Sequence, residues 1–359
     1  MKDGRRKTED ERRTMIQKQN NTLGQSARSK LLRTAVAAAA GVVAGGRVVD
    51  WWRASPRNAP IRPSHAGAVA AQPITITTEA GLRVHAIQTG FVAIKSAHHR
   101  LRGPEALRFL TIIQDSTWTA ALPILTWVIE HPEGVIVIDT GESAQSANMA
   151  EYMACDRASR WFFERNLRLF VTPDEEIGAQ LRALGIALES VRWVVMTHLH
   201  SDHAAGMDVF SNAEVLIARQ EFEGHKRQPV GAVPCLWPAD FRPRLVDYTG
   251  PAVASFPATS PLTRDGAVTL LPTPGHSYGH QSVLLRDTAR SYLFAGDVAF
   301  SERQLLAQEI QGICQDVRQS RRSLTRIRDL VQQSPTVFLP SHDPESLLRL
   351  KQGQTVHLL

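Results

Sequence analysis

The sequence predicts an α/β fold of the α+β kind, with two mixed sheets sandwiched between helices around a metal site. Three observations predict it. Strand-like segments come in hairpins interrupted by amphipathic helices, a pattern of layered sheets and not of a doubly wound nucleotide fold. The stretch THLHSDHAAG, residues 197–206, packs three histidines and one aspartate into six consecutive positions. Further histidines and an aspartate recur downstream, each just after a predicted strand of its own.

The chain has 359 residues and a formal net charge of +6, but the charge is unevenly spread. Residues 1–70 hold 14 Lys and Arg against 5 Asp and Glu, whereas the remainder holds 27 against 30. The body is mildly acidic, which excludes the clustered basic footprint that grips a phosphate backbone. No nucleic-acid partner is expected. Residues 1–70 read as a basic, Ala-rich leader or tail outside the folded core, and residues 71–359 as one catalytic domain. Within the tail, the apolar run at 34–46 follows Arg28, Lys30 and Arg33. It is too short for a stable membrane span but fits the apolar part of a secretory signal. Export and a cytoplasmic location are equally compatible with it, and Met15 offers a later start. The three cysteines, Cys155, Cys235 and Cys314, are widely spaced and form no C-x-x-C pair. They read as isolated buried thiols and not as a disulfide framework.

The body opens with PITITTEAGLRVHAIQTG, residues 73–90, which reads as two strands around a turn at Ala80-Gly81. Residues 122–141 read as another hairpin, turning at Pro132-Glu133-Gly134. Its second strand, 135–138, is an unbroken apolar run, as expected of a strand covered on both faces. The Met- and aromatic-rich segment 149–170 reads either as a helix packed on the sheet or as a pocket lining for an acyl chain, with Trp161 and Phe162 as its candidate contacts. A helix is signalled at Thr172 by Pro173 and a Thr-x-x-Glu box ending at Glu175, with an apolar stripe at Ile177, Leu181 and Leu184 and a stop at Gly185. The strand RWVVMTH, residues 192–198, then delivers the chain to the histidine cluster. Further strands are predicted at 215–218, 268–271, 281–285, 291–295 and 336–339. A second amphipathic helix is predicted over 315–332, with Val317, Leu324, Ile327 and Val331 at helical spacing. The pair His98-His99, flanked by Lys95 and Arg100, reads as a solvated loop. Trp118 and Trp127 read as core or pocket wall.

His198 and His200, two apart in an extended segment, point the same way, while Asp202 and His203 lie past the bend and can face a second ion. These are two half-sites needing completion. His276, Asp297 and His342, each in a strand-end loop, can complete them. Five histidines and two aspartates without a thiolate suit Zn²⁺ first, with Fe, Mn and Co also compatible.

In that order, Asp139-Thr140-Gly141, His198-x-His200-x-Asp202-His203, His276, Asp297 and His342 resemble the metallo-β-lactamase superfamily over roughly residues 75–359. The resemblance implies an αββα sandwich with a dinuclear centre. It implies that His198, His200 and His276 bind one divalent ion, that Asp202, His203 and His342 bind the other, and that Asp297 bridges them. Asp139 would hold a ligand imidazole from behind. His280, on the His276 loop but without a place at a metal, reads as hydrogen-bonding support. Within the superfamily, VIEHPEGVIVIDTG, TPGHSYGHQS and SHDPE look like the quorum-quenching N-acyl homoserine lactonases. That implies a hydrolase opening a small lactone by attack of a metal-bridging hydroxide on its carbonyl, with Asp202 and Asp297 in the catalytic machinery. Those lactonases generally carry a tyrosine three residues after the bridging aspartate. Here Phe300 stands there, as a candidate substrate contact, and Tyr278 or Ser301 would have to supply the hydroxyl. An esterase or organophosphate hydrolase on the same centre is the alternative, and a non-catalytic or redox metal protein the reading from a different class. A homodimer is compatible with the sequence.

Overall fold

The computed structural model describes residues 72–227 and 230–358. The expected tail at 1–70 therefore lies outside the described residues. Among the described residues, no helix is long and apolar enough to cross a membrane.

Two sheets dominate. The first runs β1 (Ile74–Thr77), β2 (Arg83–Ile94), β3 (Leu122–His131), β4 (Gly134–Ile138), β6 (Val191–Val195), β7 (Glu214–Ala218) and β8 (Arg244–Val246), with β5 (Leu167–Phe170) paired to the far end of β2. The second runs β13 (Thr336–Pro340), β12 (Ser291–Gly296), β11 (Gln281–Arg286), β10 (Val268–Pro272) and β9 (Ser260–Pro261). Hairpins are antiparallel, but β4 pairs with β6, and β12 with β13, in parallel. Each predicted strand is present, most within a residue or two of the expected ends, but the one predicted at 192–198 stops at Val195 and the second strand of the 73–90 hairpin runs on to Ile94.

The apolar runs are explained by what covers them. Trp127, Ile129, Ile136 and Ile138 of the first sheet meet Val283, Leu285, Phe294 and Leu339 of the second in one inter-sheet core. Trp127 and Phe294 meet across it, tilted 45° with centroids 5.4 Å apart. The alternate residues face outward. Leu284, Leu293 and Phe338 pack under helix Val317–Gln333, and Val128, Val137 and Val194 pack under helix Ile177–Ala183. Strands buried on both faces lose the usual alternation of apolar and polar residues, which is why their sequences read as continuous runs. The layers are helix, sheet, sheet, helix.

Three expectations are corrected. The helix signalled at Thr172 is split into a 3-10 turn, Pro173–Glu175, and the helix Ile177–Ala183. Between them Glu176 is extended, and its carboxylate accepts hydrogen bonds from Ala144 N–H and the Ser143 hydroxyl. Cys155 and Cys235 are joined in a disulfide across 80 residues, while Cys314 is a free buried thiol. Sequence spacing finds only local cysteine motifs, and this bridge depends on two loops meeting in space. Finally, His98 and His99 are no solvated loop. They form the short helix Ser96–His99, in which His98 is buried. Leu101 N–H donates to Ile310 C=O and Gly312 N–H to His98 C=O, so the turn lies against a segment 200 residues away in sequence.

Candidate metal centre

Four loops converge at the carboxyl ends of strands: β4 leads to Asp139, β6 to His198–His203, β12 to Asp297 and β13 to His342, with His276 following β10. Parallel neighbours bring equivalent ends together, so each sheet contributes an adjacent pair of such loops. Backbone details permit the approach. Asp139 sits at φ 59°, a left-handed conformation that aspartate tolerates better than most residues. Gly296 sits at φ 56°, and a Cβ there would lie 2.6 Å from His280 Nε2, so only glycine can precede Asp297 in this arrangement.

The structure gathers the seven sequence-predicted ligands into three overlapping groups: His198, His200 and His276; His198, His203 and Asp297; and Asp202, His203 and His342. Within each group the candidate ligand atoms lie within 4.8 Å of one another. Asp297 is placed between the others, with Oδ1 3.4 Å from His203 Nε2 and Oδ2 3.4 Å from His276 Nε2 and 3.3 Å from His342 Nε2. Asp202 Oδ2 is 3.4 Å from His342 Nε2.

The outer nitrogens decide which atoms face inward. His203 Nδ1–H donates to Asp139 Oδ2 at 2.8 Å and His342 Nδ1–H to the Pro123 carbonyl at 2.8 Å. His276 Nδ1–H donates to Gln311 Oε1 at 2.9 Å, and His198 Nδ1–H to the Thr197 hydroxyl oxygen at 3.0 Å. Thr197 Oγ1 in turn donates to Asp139 Oδ2. Four imidazoles thus commit their Nδ1–H outward and turn Nε2 inward. The inward nitrogens crowd together: His198 Nε2 and His200 Nδ1 are 2.9 Å apart, and His276 Nε2 and His200 Nδ1 3.1 Å. Converging lone pairs beside two carboxylates fit cations, and the outward hydrogen bonds are the support that metal-bound imidazoles require.

Charge divides the site into two halves. Burial drives His198 well below the ordinary histidine range, His200 to about 4 and His276 to about 3, so all three are neutral. Burial also opposes charge on His203 and His342, but Asp297 and Asp202, joined by Asp139 at His203, outweigh it, lifting His203 well above its usual value and His342 to about 10. Asp297 is held well below the carboxylate range against its burial, chiefly by the imidazoles of His342 and His203. The half of the site around Asp202 and Asp297 attracts positive charge.

His280 occupies the supporting place read for it from the sequence. Its Nε2 accepts from Asp297 N–H at 2.9 Å and its Nδ1–H donates to Thr273 Oγ1 at 2.9 Å. Three supports had no signal in the sequence. Glu221 accepts from Leu199 N–H, Gly279 N–H and the Ser277 hydroxyl, tying two ligand loops together. Glu142 accepts from Tyr152 OH at 2.6 Å, from the Ser201 hydroxyl at 2.7 Å and from Ser143 N–H. Burial pushes its carboxyl up to about 7, the three hydrogen bonds pulling back. Gln311 receives His276 and donates its own Nε2–H to the Asp297 carbonyl at 2.6 Å.

A cleft opens onto this cluster. Phe300 and Phe162 line it, with Phe163, Val92, Ile94 and Ile313, whereas Trp161 is not among its lining residues. The Phe300 ring lies edge-on to His276 and His342, with centroids 5.9 and 5.5 Å away. Tyr278 is not brought to the cleft. Its ring packs on Gly224 and beneath the Arg227 guanidinium. Ser301 caps the helix Glu302–Ala307, accepting from Gln304 N–H. Neither supplies a hydroxyl to the cleft, and His98, which had been read as solvated, lies on its wall.

Comparison with known proteins gives concordant findings. The family model of the metallo-beta-lactamase superfamily matches residues 119–342. The N-acyl homoserine lactonase AttM of Azorhizobium caulinodans is 28% identical over 240 residues, covering 65% of this chain and 86% of its own. A solved N-acyl homoserine lactone hydrolase with N-hexanoyl-L-homoserine bound at its catalytic metal centre superposes with a TM-score of 0.60 at 19% identity, covering 80% of this chain and 98% of that one. The dizinc quorum-quenching lactonase AidC superposes with a TM-score of 0.53 at 15% identity, covering 76% and 91%. At these identities the solved structures speak for the fold.

Proposed function

The chain belongs to the metallo-β-lactamase superfamily, and on that premise we propose that it is a dinuclear metal-dependent hydrolase that opens the ring of small lactones, N-acyl homoserine lactones first among them. The observation that carries this reading is the meeting of an apolar cleft with a cluster of inward-facing His and Asp ligands. The lactonase relatives support the choice of ester.

In this reading His198, His200 and His276 hold one ion, Asp202, His203 and His342 the other, and Asp297 is shared. Two divalent ions held there would supply a hydroxide near neutral pH and polarisation of the carbonyl. The chain's own residues do the rest. Asp139, Pro123, Gln311 and Thr197 fix the ligand imidazoles in the tautomer that presents Nε2 inward. Asp202, which borders the cleft, takes the proton set free as water is used and returns it to the alkoxide of the opened ring, which stays part of the product. Phe162, Phe163 and Phe300 exclude bulk water and receive the acyl portion. The nitrogen and oxygen donors suit Zn²⁺ first.

Metal analysis followed by acid-release assays on acyl homoserine lactones, unsubstituted γ-lactones, aryl esters and a phosphotriester tests this. The expected outcome is two ions per chain and lactones as the preferred substrates. Dominant turnover of aryl esters or the phosphotriester, with lactones inert, would overturn the lactonase reading in favour of an esterase or organophosphate hydrolase on the same centre.

A further inference from the structure

The cleft wall contains one polar side chain that the metal centre does not use. Of the side chains lining it, His200, Asp202, His276, Asp297 and His342 belong to the proposed ligand set, and all the others but one are apolar or glycine. The exception is His98. It is 7% exposed, and its Nδ1 is buried without a hydrogen-bond partner. A buried, unpaired ring nitrogen loses its hydration with nothing in return. An orphan on the wall of a binding cleft is explained if the ligand is its partner.

His98 is also rigidly mounted. Ala97 N–H donates to Asp115 Oδ2 at 2.6 Å, Gly312 N–H donates to the His98 carbonyl, and Gln304 Nε2–H donates to the His99 carbonyl at 3.0 Å. Gly312 is obligatory for that contact, since a Cβ there would fall 1.8 Å from the Ala97 carbonyl oxygen. The segment 304–312 therefore braces His98 from one side, and through Gln311 it holds His276 and Asp297 on the other. The distance between the orphan imidazole and the cluster is set by a single piece of backbone, as a substrate gauge requires.

We propose that His98 is a substrate-binding, specificity-determining residue: its imidazole hydrogen-bonds an amide that the substrate carries beside its scissile ester, so that acyl-amide lactones are selected over plain ones. Burial holds this imidazole neutral, with a value near 3. It therefore offers one donor and one acceptor, and a secondary amide, with one C=O and one N–H, is complementary to either ring nitrogen. A plain lactone of equal length fills the apolar wall but leaves the nitrogen unpaired. This inference rests on the lactonase reading above.

The test compares an N-acyl homoserine lactone with a γ-lactone of matched chain length that lacks the amide, using the metal-loaded wild type, His98→Phe and His98→Gln. We expect His98→Phe to raise KM for the amide-bearing lactone about tenfold, the loss of one hydrogen bond to a buried group. For the plain lactone kcat/KM should stay within about twofold, a difference too small to register the loss of such a bond. His98→Gln should recover part of the loss, and all three proteins should hold equal metal. An equal fall on both lactones at full metal content, or no change on either, overturns the proposal. Calorimetric titration with the ring-opened N-acyl homoserine separates the two readings. If the wild type hydrolyses neither lactone, the functional reading falls, and equal affinity of the wild type and His98→Phe for that acyl amide overturns the role of His98 independently.

Discussion

The two sides of the cleft are held by different means. On the cluster side, four imidazoles each give their outer proton to a fixed oxygen, and the loops that carry them are tied by the buried carboxylates of Asp139, Glu142 and Glu221. On the wall side, Phe162, Phe163 and Phe300 are placed by packing, and the segments carrying Phe162 and Val230 are flanked by the Cys155–Cys235 bridge. Directional bonds fix atoms to fractions of an ångström, whereas packing fixes volumes. In the proposed reading, catalytic placement resides in the first side and substrate choice in the second.

The largest way to break this contrast is Asp297→Ala. Losing a side-chain hydrogen bond behind a ligand costs roughly 10- to 100-fold in metal affinity. Removing a ligand shared by two ions should cost each more than about 100-fold, read as metal retained after dialysis and as lost turnover. Full metal and activity in that variant would sink the ligand assignment. Next in size, replacing Cys155 and Cys235 by Ser should lower unfolding stability by about 4 kcal/mol, as expected for a bridge closing a loop of 80 residues. Metal content should be unchanged. A drop in metal content would show that the wall and the cluster are not separable.

Glu142→Gln tests the carboxylate supports. The folded carboxyl titrates near 7 and an unfolded one near 4.3, so between these values the folded state binds the proton more strongly. Stability from this group is then fully present below about pH 4 and lost as pH rises through 7. The variant should be more stable than the wild type at pH 8, by up to about 4 kcal/mol, and equal to it near pH 4. Parallel stability curves for the two proteins would refute the assignment. Smallest is Asp139→Asn, whose residue type also tolerates the positive φ. Its amide would turn a donor toward Thr197 or His203 and weaken metal binding by about 10- to 100-fold. Unaltered metal affinity would mean that the His203 tautomer is set elsewhere.

The same contrast explains what was legible in the sequence. The proposed ligands are His and Asp at strand ends, partly clustered in a short motif, so the candidates His198 to His203 were legible and their chemistry pointed to His276, Asp297 and His342. The layered sheets were legible because burial on both faces leaves apolar runs. Glu142, Glu221 and Gln311 were not legible, since their partners are mostly backbone and hydroxyl groups that come near only in the folded chain. The Cys155–Cys235 bridge was missed for the same reason. His98 was misread because lysine and arginine neighbours imply solvent, whereas its turn is buried against residues 310–312.

The parallel pairing of β12 with β13, across the helix Val317–Gln333, has a consequence for the order of assembly. Parallel neighbours cannot form by a local turn. The chain must first complete a long crossover and lose the entropy of that loop before their contacts repay it. His342 lies beyond the last strand of that crossover, so the second triad closes only when the slowest pairing of the C-terminal sheet has formed. A chain released from synthesis before residue 342 would carry the histidine motif at 198–203 complete yet hold half a centre. Metal uptake during refolding should therefore follow the final closure of that sheet and not the early collapse.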